Sequence, residues 1–164
     1  MIAVATKADL ERDLRQAWDE LRNVVDGVPE SELEKPGVVE EWSMKDLLGH
    51  IAFWSQHAAD SLSAVNAGRS EDIVFGEGKD WFDDWNAREH EARKDRSLKD
   101  NRSDWLQAHD NAGSALARAA EDDLAKKHGE YDPQRSFPAD TFLHYREHAE
   151  HIRTWMRDLE TTEA

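Results

Sequence analysis

Apolar positions recur at steps of three and four residues along most of the chain, the spacing of one face of an α-helix. The first such series follows Thr6, a residue suited to an N-cap, and stops at the DGVP stretch, 26–29, whose residues favour a turn. The apolar positions of this series are Leu10, Leu14, Ala17, Leu21 and Val24. The pattern predicts an amphipathic first helix between Thr6 and residue 26.

A second apolar series begins after Ser43, with Asp46 three residues later as in a capping box. The short ESELEK stretch before it, 30–35, predicts one helical turn, and Ala67-Gly68 ends the series. Its apolar positions are Leu47, Leu48, Ile51, Trp54, Ala58, Leu62 and Val65. We therefore expect a second long helix from Ser43 to about residue 66, followed by a glycine-containing loop over 68–79.

Three further segments have helical character. The charged stretch 80–95 keeps Trp81, Phe82 and Trp85 on one side, and Ser97 starts a series that predicts a helix to about residue 127. The segment 128–140, with two prolines, predicts a loop. A last helix is expected from near Asp140 to about Leu159, because the apolar residues from Phe142 onward step by three and four.

The fold class that these patterns predict is all-α. Four long amphipathic helices in a chain of 164 residues favour a single four-helix-bundle domain over residues 1–164. The long connection between helices two and three means that the topology need not be simple up-down-up-down. No segment shows the alternation of a strand, and no internal repeat is found.

Composition narrows the function classes. The chain has no cysteine, which excludes disulfides, thiolate metal sites and a cysteine nucleophile. A formal net charge of −15 and the lack of a Lys/Arg cluster argue against nucleic acid as a partner. No apolar run reaches membrane-spanning length, and the N-terminal stretch becomes charged too early for a signal peptide, so we expect a cytoplasmic protein without a membrane partner. Seven tryptophans exceed what a surface needs, which places them in the core or around a pocket and allows a homodimer.

Three histidines share one side of the predicted last helix. His144, His148 and His151 are separated by four and three residues, and His50 on helix two flanks the apolar stripe of its own helix. Facing helices of a bundle can build a metal site from such side chains, with positions left for water or substrate. Residue spacing alone leaves two alternatives open, a metal site and ordinary polar residues at the border of the core.

Two stretches resemble a known family. EEWSMKDLLGHIAFW, 40–54, is similar to the second helix of the DinB-like superfamily, and HYREHAEHI, 144–152, is similar to its last helix. The DWNAREHEARKD and HYREH stretches also resemble the ClbS/DfsB branch. The resemblance covers nearly the whole chain and implies a DinB-like four-helix bundle.

The same resemblance implies a divalent-metal site, commonly zinc or nickel, held by His50, His144 and His148. His151 stands where the superfamily commonly has Gln, and it could support a ligand or compete with one. The implied activity is the transfer of a low-molecular-weight thiol, or a hydrolysis step, on a small electrophilic substrate. Because the chain has no cysteine, such a thiol must come from outside. The alternative is a non-catalytic bundle that binds or sequesters a ligand without a functional metal.

Four more residues are candidates for the surroundings of this site. Trp54 and Trp155 would form walls of the pocket or pack in the core, Glu147 is a candidate acid or base or a surface residue, and Asn86 could reach the pocket from the charged helix. The remaining histidines lack a comparable arrangement and are interpreted as structural or solvated.

Overall fold

The computed structural model of the chain describes residues 3–163. Over these residues the regular structure is helical, as predicted, with two isolated bridge pairs in turns and no strand. Two single 3₁₀ turns, Glu30–Glu32 and Ser70–Asp72, lie in the connections on either side of the second long helix. The helices are α1 (Lys7–Asp26), α2 (Met44–Asn66), α3 (Trp81–Arg93), α4 (Leu98–Arg118), α5 (Glu121–Leu124), α6 (Pro133–Asp140) and α7 (Phe142–Glu163).

The starts of the long helices follow the predicted caps. The hydroxyls of Thr6 and Ser43 each accept a hydrogen bond from the backbone N–H three residues later. The carboxylates of Asp9 and Asp46 accept in turn from the backbone N–H of the cap residue, which completes two capping boxes. Ser97 caps α4 in the same way through its hydroxyl. Local side-chain chemistry therefore sets these three boundaries, which is why the sequence alone locates them.

The four long helices α1, α2, α4 and α7 form the bundle. Ion pairs of Asp13 with Arg146 and of Glu20 with Arg153 join α1 and α7 in parallel order. Likewise α2 and α4 run parallel, because hydrogen bonds join residue 45 to 101 and residue 66 to 115. The pair of α1 and α7 runs antiparallel to the pair of α2 and α4, so the order along the chain is up-down-down-up. The long connection that contains α3 leads the chain from the end of α2 back to the start of α4.

Two predictions for the second half of the chain are wrong. The helix predicted to reach residue 127 ends at Arg118, where Ala119 and Ala120 are extended before the single turn of α5. Docking explains the break: the Nζ atom of Lys7 donates to the carbonyl of Ala119 at 3.1 Å, and the backbone N–H of Lys7 donates to Glu121. These contacts couple the start of α1 to the end of α4, and periodicity along one segment does not report them.

The segment predicted as a loop over 128–140 contains α6. The start of α6 has a local cause. Asp132 accepts from the N–H of Gln134, and Pro133 occupies the first helical turn, where its fixed φ is favourable. The prolines and the glycine of this segment led to the prediction of a loop instead. Thr141, with φ −123° and ψ −101°, separates α6 from α7. α6 therefore delivers Asp140 to the entrance of α7.

The core is continuous through the bundle, and the predicted apolar series of α2 is buried along its length. In α1 the last buried position is Val25 instead of Val24. The helices α2 and α4 pack closely, whereas α2 and α7 face each other mainly through larger side chains, including the buried pair of Ser55 and Tyr145 at 3.0 Å. This wider seam is where a cavity forms.

None of the described helices has both the length and the apolar character that crossing a bilayer requires.

Candidate functional site

Three imidazoles meet at the seam between α2 and α7. The Nε2 atom of His144 lies 2.9 Å from Nε2 of His50 and 2.8 Å from Nε2 of His148. All three ring nitrogens lie within 4.8 Å of one another. The structure therefore brings together the three histidines that the family resemblance names, with the same ring nitrogen of each turned to one point.

Helix geometry explains how this cluster forms. His144 and His148 are one turn apart on α7, so their side chains lie on the same face. His50 lies in the second turn of α2, whose start is held by the Ser43 capping box. Because α2 and α7 run antiparallel, the early part of α2 faces this part of α7, and the ring centroids of His50 and His148 are 5.1 Å apart.

Burial makes the three imidazoles poor bases. Burial lowers the pKa of His50 to about 4. Burial, together with the nearby charges that His50 and His151 would carry, lowers the pKa of His144 to about 3. Burial and the charges that His144, His50 and His151 would carry lower the pKa of His148. The cluster is therefore neutral at pH 7, which leaves ring lone pairs available for a cation.

The outer side of the cluster differs between its members. The Nδ1 atom of His148 lies 3.1 Å from Nδ1 of His151, so one of these two atoms donates to the other. His144 has no such contact, since its Nδ1 atom is buried without a hydrogen-bond partner among the described residues. The hydrogen bonds of the His144 ring among the described residues are therefore those of its Nε2 atom.

The histidine cluster forms part of the wall of a cavity of about 650 Å³. This volume lies in the range of small-molecule sites. Aromatic rings from the loop before α2, from α2 and from α3 form the apolar wall, namely Trp42, Trp54 and Phe82. The acidic residues of the lining are Glu40, Asp83, Asp140 and Glu147.

The other predicted pocket residues divide into two groups. Trp54, Asn86, Glu147 and His151 all line the cavity. The indole N–H of Trp54 donates to Oδ1 of Asn86 at 2.8 Å, which ties α3 to α2 at the cavity wall. Trp155 does not line the cavity. It is 8% exposed and packs in the core, which was the alternative to a place in the pocket wall.

Sequence reasoning missed several residues of the cavity wall. His90 on α3 stacks on Trp42 with ring centroids 5.1 Å apart and planes 7° apart, and both line the cavity. The two residues are 48 positions apart in the chain, so no periodic pattern within one segment predicts their contact. Glu40 was also missed. It has a positive φ of 52°, which among the described residues no other non-glycine residue has, and the sequence pattern does not predict this conformation.

Asp140 on the cavity wall is paired with His57 of α2. The Nδ1 atom of His57 lies 2.8 Å from the Asp140 carboxylate, and its Nε2 atom lies 3.1 Å from the carbonyl of Val74. Burial lowers the pKa of His57, but the hydrogen bond and charge of Asp140 outweigh it and raise the pKa above its usual value. Both ring nitrogens face acceptors, so the pair carries a structural proton and fixes the 67–80 connection to α2.

Comparison with known proteins extends these observations. The family model of the mycothiol maleylpyruvate isomerase N-terminal domain matches residues 14–153 of the chain. No curated protein matches the chain in sequence.

Solved structures share the fold at low sequence identity. An uncharacterised protein from Escherichia coli UTI89 superposes with a TM-score of 0.81 and 14% identity, covering 94% of this chain and 95% of that one. The colibactin self-resistance protein ClbS, solved in complex with a double-stranded DNA, has a TM-score of 0.78 and 11% identity over 94% of this chain and 96% of its own. DfsB, a sibling lethal factor precursor, has a TM-score of 0.78 and 13% identity over 96% and 98% of the two chains. With the family match over most of its length, the chain belongs to the mycothiol maleylpyruvate isomerase N-terminal domain family and has the DinB-like fold.

Proposed function

We propose that this protein binds one divalent metal ion through His50, His144 and His148 and uses it to act on a small electrophilic compound with an external low-molecular-weight thiol. The observation that carries the proposal is the convergence of three neutral Nε2 atoms on the wall of a ligand-sized cavity. Three imidazoles with open positions are a donor set that suits zinc or nickel.

The spacing of the ring nitrogens fits such an ion after a small adjustment. Metal–nitrogen bonds of about 2.0–2.1 Å at tetrahedral angles separate the nitrogens by about 3.4 Å. The two separations that involve His144, 2.8 and 2.9 Å, are shorter, so its ring and those of His50 and His148 must move apart by roughly 0.5 Å. His148 can then donate its Nδ1–H to His151, an arrangement that commonly orients a metal-bound histidine.

The residues around the cluster suit a polar reaction in a partly dry site. A bound divalent ion would supply a fixed positive charge that favours the deprotonation of a thiol or of water. Trp42, Trp54 and Phe82 limit the access of water and offer apolar surface to a substrate. Asp140, held in place by His57, adds a carboxyl group to the cavity wall.

Two observations support an external thiol. The chain has no cysteine, so no side chain can serve as a sulfur nucleophile. The family description names mycothiol, a low-molecular-weight thiol. We propose a small molecule, and not nucleic acid, as the partner of this chain. ClbS was solved with DNA, but the net charge of −15 and the acidic cavity of this chain favour a small molecule.

We also propose that the protein is cytoplasmic and forms a homodimer.

The test begins with metal content. Protein purified without an affinity tag is expected to hold, or to take up, one equivalent of zinc or nickel, and the His144→Ala/His148→Ala variant is expected to hold none. The His128→Ala variant removes a histidine outside the cavity lining and serves as the control. A wild-type protein that stays below a tenth of an equivalent after metal addition would contradict the proposal and leave a ligand-sequestering bundle.

Reaction type is tested next with a model electrophile. Metal-loaded protein is expected to accelerate the reaction of monobromobimane with a low-molecular-weight thiol, and the chelated protein is not. Consumption of an electrophile without any thiol would instead indicate a hydrolase.

A further inference from the structure

We infer that the cavity selects small molecules that carry a positive charge beside an apolar or aromatic part, and that it disfavours anionic ones. This inference rests on the proposed function only in taking the cavity as the substrate site. It deepens that function by naming the charge class of the substrate. The family description names maleylpyruvate, a dicarboxylate, and the lining of this cavity favours a different class.

The charges of the cavity wall carry the first part of the argument. Among the residues that line it within the described part of the chain, four are Asp or Glu and none is Lys or Arg. Asp140 is balanced by His57, but Glu40, Asp83 and Glu147 have no ion-pair partner within 4 Å among residues 3–163. The three are exposed side chains, so they surround the mouth of the cavity.

The neighbouring cations lie outside the cavity lining. Lys127 and Arg135 line a separate pocket that shares Phe82, Ala139 and Asp140 with the cavity. Arg93 borders a small void beside Trp42 and His90, but its guanidinium is paired with Asp104 at 3.0 Å and with Glu89 at 3.7 Å. The carboxylates are therefore the permanently charged side chains of the cavity lining, and they favour a positively charged ligand over an anionic one.

The aromatic wall is an independent reason for the same preference. Trp42, Trp54 and Phe82 present ring surface to the cavity, and the negative face of an aromatic ring attracts a cation. Such rings also bury an apolar part of the same ligand. With a metal at the histidines, the cavity becomes bipolar, since its inner end attracts an electron-rich group and its mouth attracts a cationic one. A substrate with an amine or quaternary ammonium group fits this arrangement, and a dicarboxylate does not.

The experiment compares three probes that share one aromatic ring: 2-phenylethylamine, 2-phenylethanol and phenylacetate. Their dissociation constants are measured by NMR titration of the full-length metal-free protein at pH 7, so the ion cannot attract the carboxylate. We expect the amine to bind about fivefold or more tightly than the acid, with the alcohol between them. Equal binding of amine and acid, or tighter binding of the acid, overturns the inference.

Two matched variants separate the cavity from the charge of the whole protein. The Glu40→Gln/Asp83→Asn/Glu147→Gln variant is expected to reduce the preference for the amine to within about twofold. The Asp19→Asn/Asp158→Asn/Glu160→Gln variant changes the net charge equally, at exposed positions outside the cavity lining, and is expected to keep the preference. If this control loses the preference as completely as the cavity variant, global charge is responsible and the inference fails.

The outcome is separable from that of the proposed function. A protein that binds no metal can still prefer the amine, which refutes the metal site and keeps this inference. A protein that binds one equivalent of metal and shows no preference refutes this inference alone.

Discussion

The Nε2 atoms of His50 on α2 and His144 on α7 lie 2.9 Å apart, although 94 positions separate the two residues in the chain. Neither side chain could be held at this distance by local structure. Their contact depends on the antiparallel packing of α2 and α7 and on the start of α2 that Ser43 fixes. The distance between these two imidazoles therefore depends directly on how α2 packs against α7.

The contact between His148 and His151 predicts an effect on metal affinity. If His148 offers Nε2 to the ion, its Nδ1–H donates to His151 across 3.1 Å. His151→Leu removes this acceptor and is expected to weaken zinc binding by about 10- to 100-fold, measured by competition with a chromophoric chelator. His151→Gln keeps an acceptor and is expected to stay close to wild type. Unchanged affinity in the leucine variant would show that His151 does not orient the ligand.

The buried histidines predict that the metal-free protein is destabilised by acid. Burial lowers the pKa of His50 to about 4, of His144 to about 3 and of His109 to about 4, from about 6.5 in the unfolded chain. Their contribution to stability is complete above pH 6.5 and is lost as the pH falls toward these folded values. At pH 5 each such group costs about 2 kcal/mol, since the unfolded chain binds a proton that the folded chain rejects.

Urea unfolding with chelator present, at pH 7.5 and pH 5, measures this dependence. The midpoint is expected to fall clearly at pH 5, and His50→Asn, which removes one of these groups, is expected to show a weaker dependence on pH. His57 acts in the opposite direction because its pKa is raised: its contribution is complete below pH 6.5 and is lost as the pH rises through the raised value. A midpoint that does not change between the two pH values would contradict the neutral, buried state of the cluster.

The pair of His57 and Asp140 predicts strong energetic coupling. Their side chains are 13% and 11% exposed, so the loss of one partner leaves a nearly buried charge or polar group alone. His57→Ala or Asp140→Ala is expected to lower the free energy of unfolding by about 3–5 kcal/mol, and the double variant by much less than the sum.

A surface pair provides the control for this cycle. Glu20 and Arg153 are equally close, at 2.8 Å, but more than a third of each side chain is exposed. The same double-mutant cycle there is expected to give a coupling below about 1 kcal/mol. Similar coupling energies for the two pairs, from urea unfolding at pH 6, would show that burial does not strengthen the His57–Asp140 interaction.

The hydrogen bond from Trp54 to Asn86 predicts how α3 is held over the cavity. Asn86→Leu removes the acceptor of the indole N–H and is expected to cost about 1 kcal/mol of unfolding free energy. It should also speed hydrogen exchange at the Trp54 indole, observed by NMR. Asn86→Asp keeps an acceptor oxygen and is expected to retain slow exchange. Fast exchange in both variants, or in neither, would show that this hydrogen bond does not hold α3 against α2.

Local signals in the sequence determined much of the bundle. The capping residues Thr6, Ser43 and Ser97 locate three helix starts, because the capping bonds of each join it to the residue three positions ahead. The pairing of His144 with His148 on one face follows from helical periodicity alone. The break after Arg118 escaped prediction because it depends on contacts of Lys7, more than a hundred residues away.

Only the tertiary structure decided what surrounds the histidines. The sequence proposes His50 as a third member through a family resemblance, but its distance from His144 is a property of how α2 and α7 pack. Trp42 meets His90, and Asp140 meets His57, through contacts between segments that share no local pattern. Short-range hydrogen bonding and periodicity specify helices, whereas a cavity and its charge arise where separate helices leave space between them, and that space exists only in the folded chain.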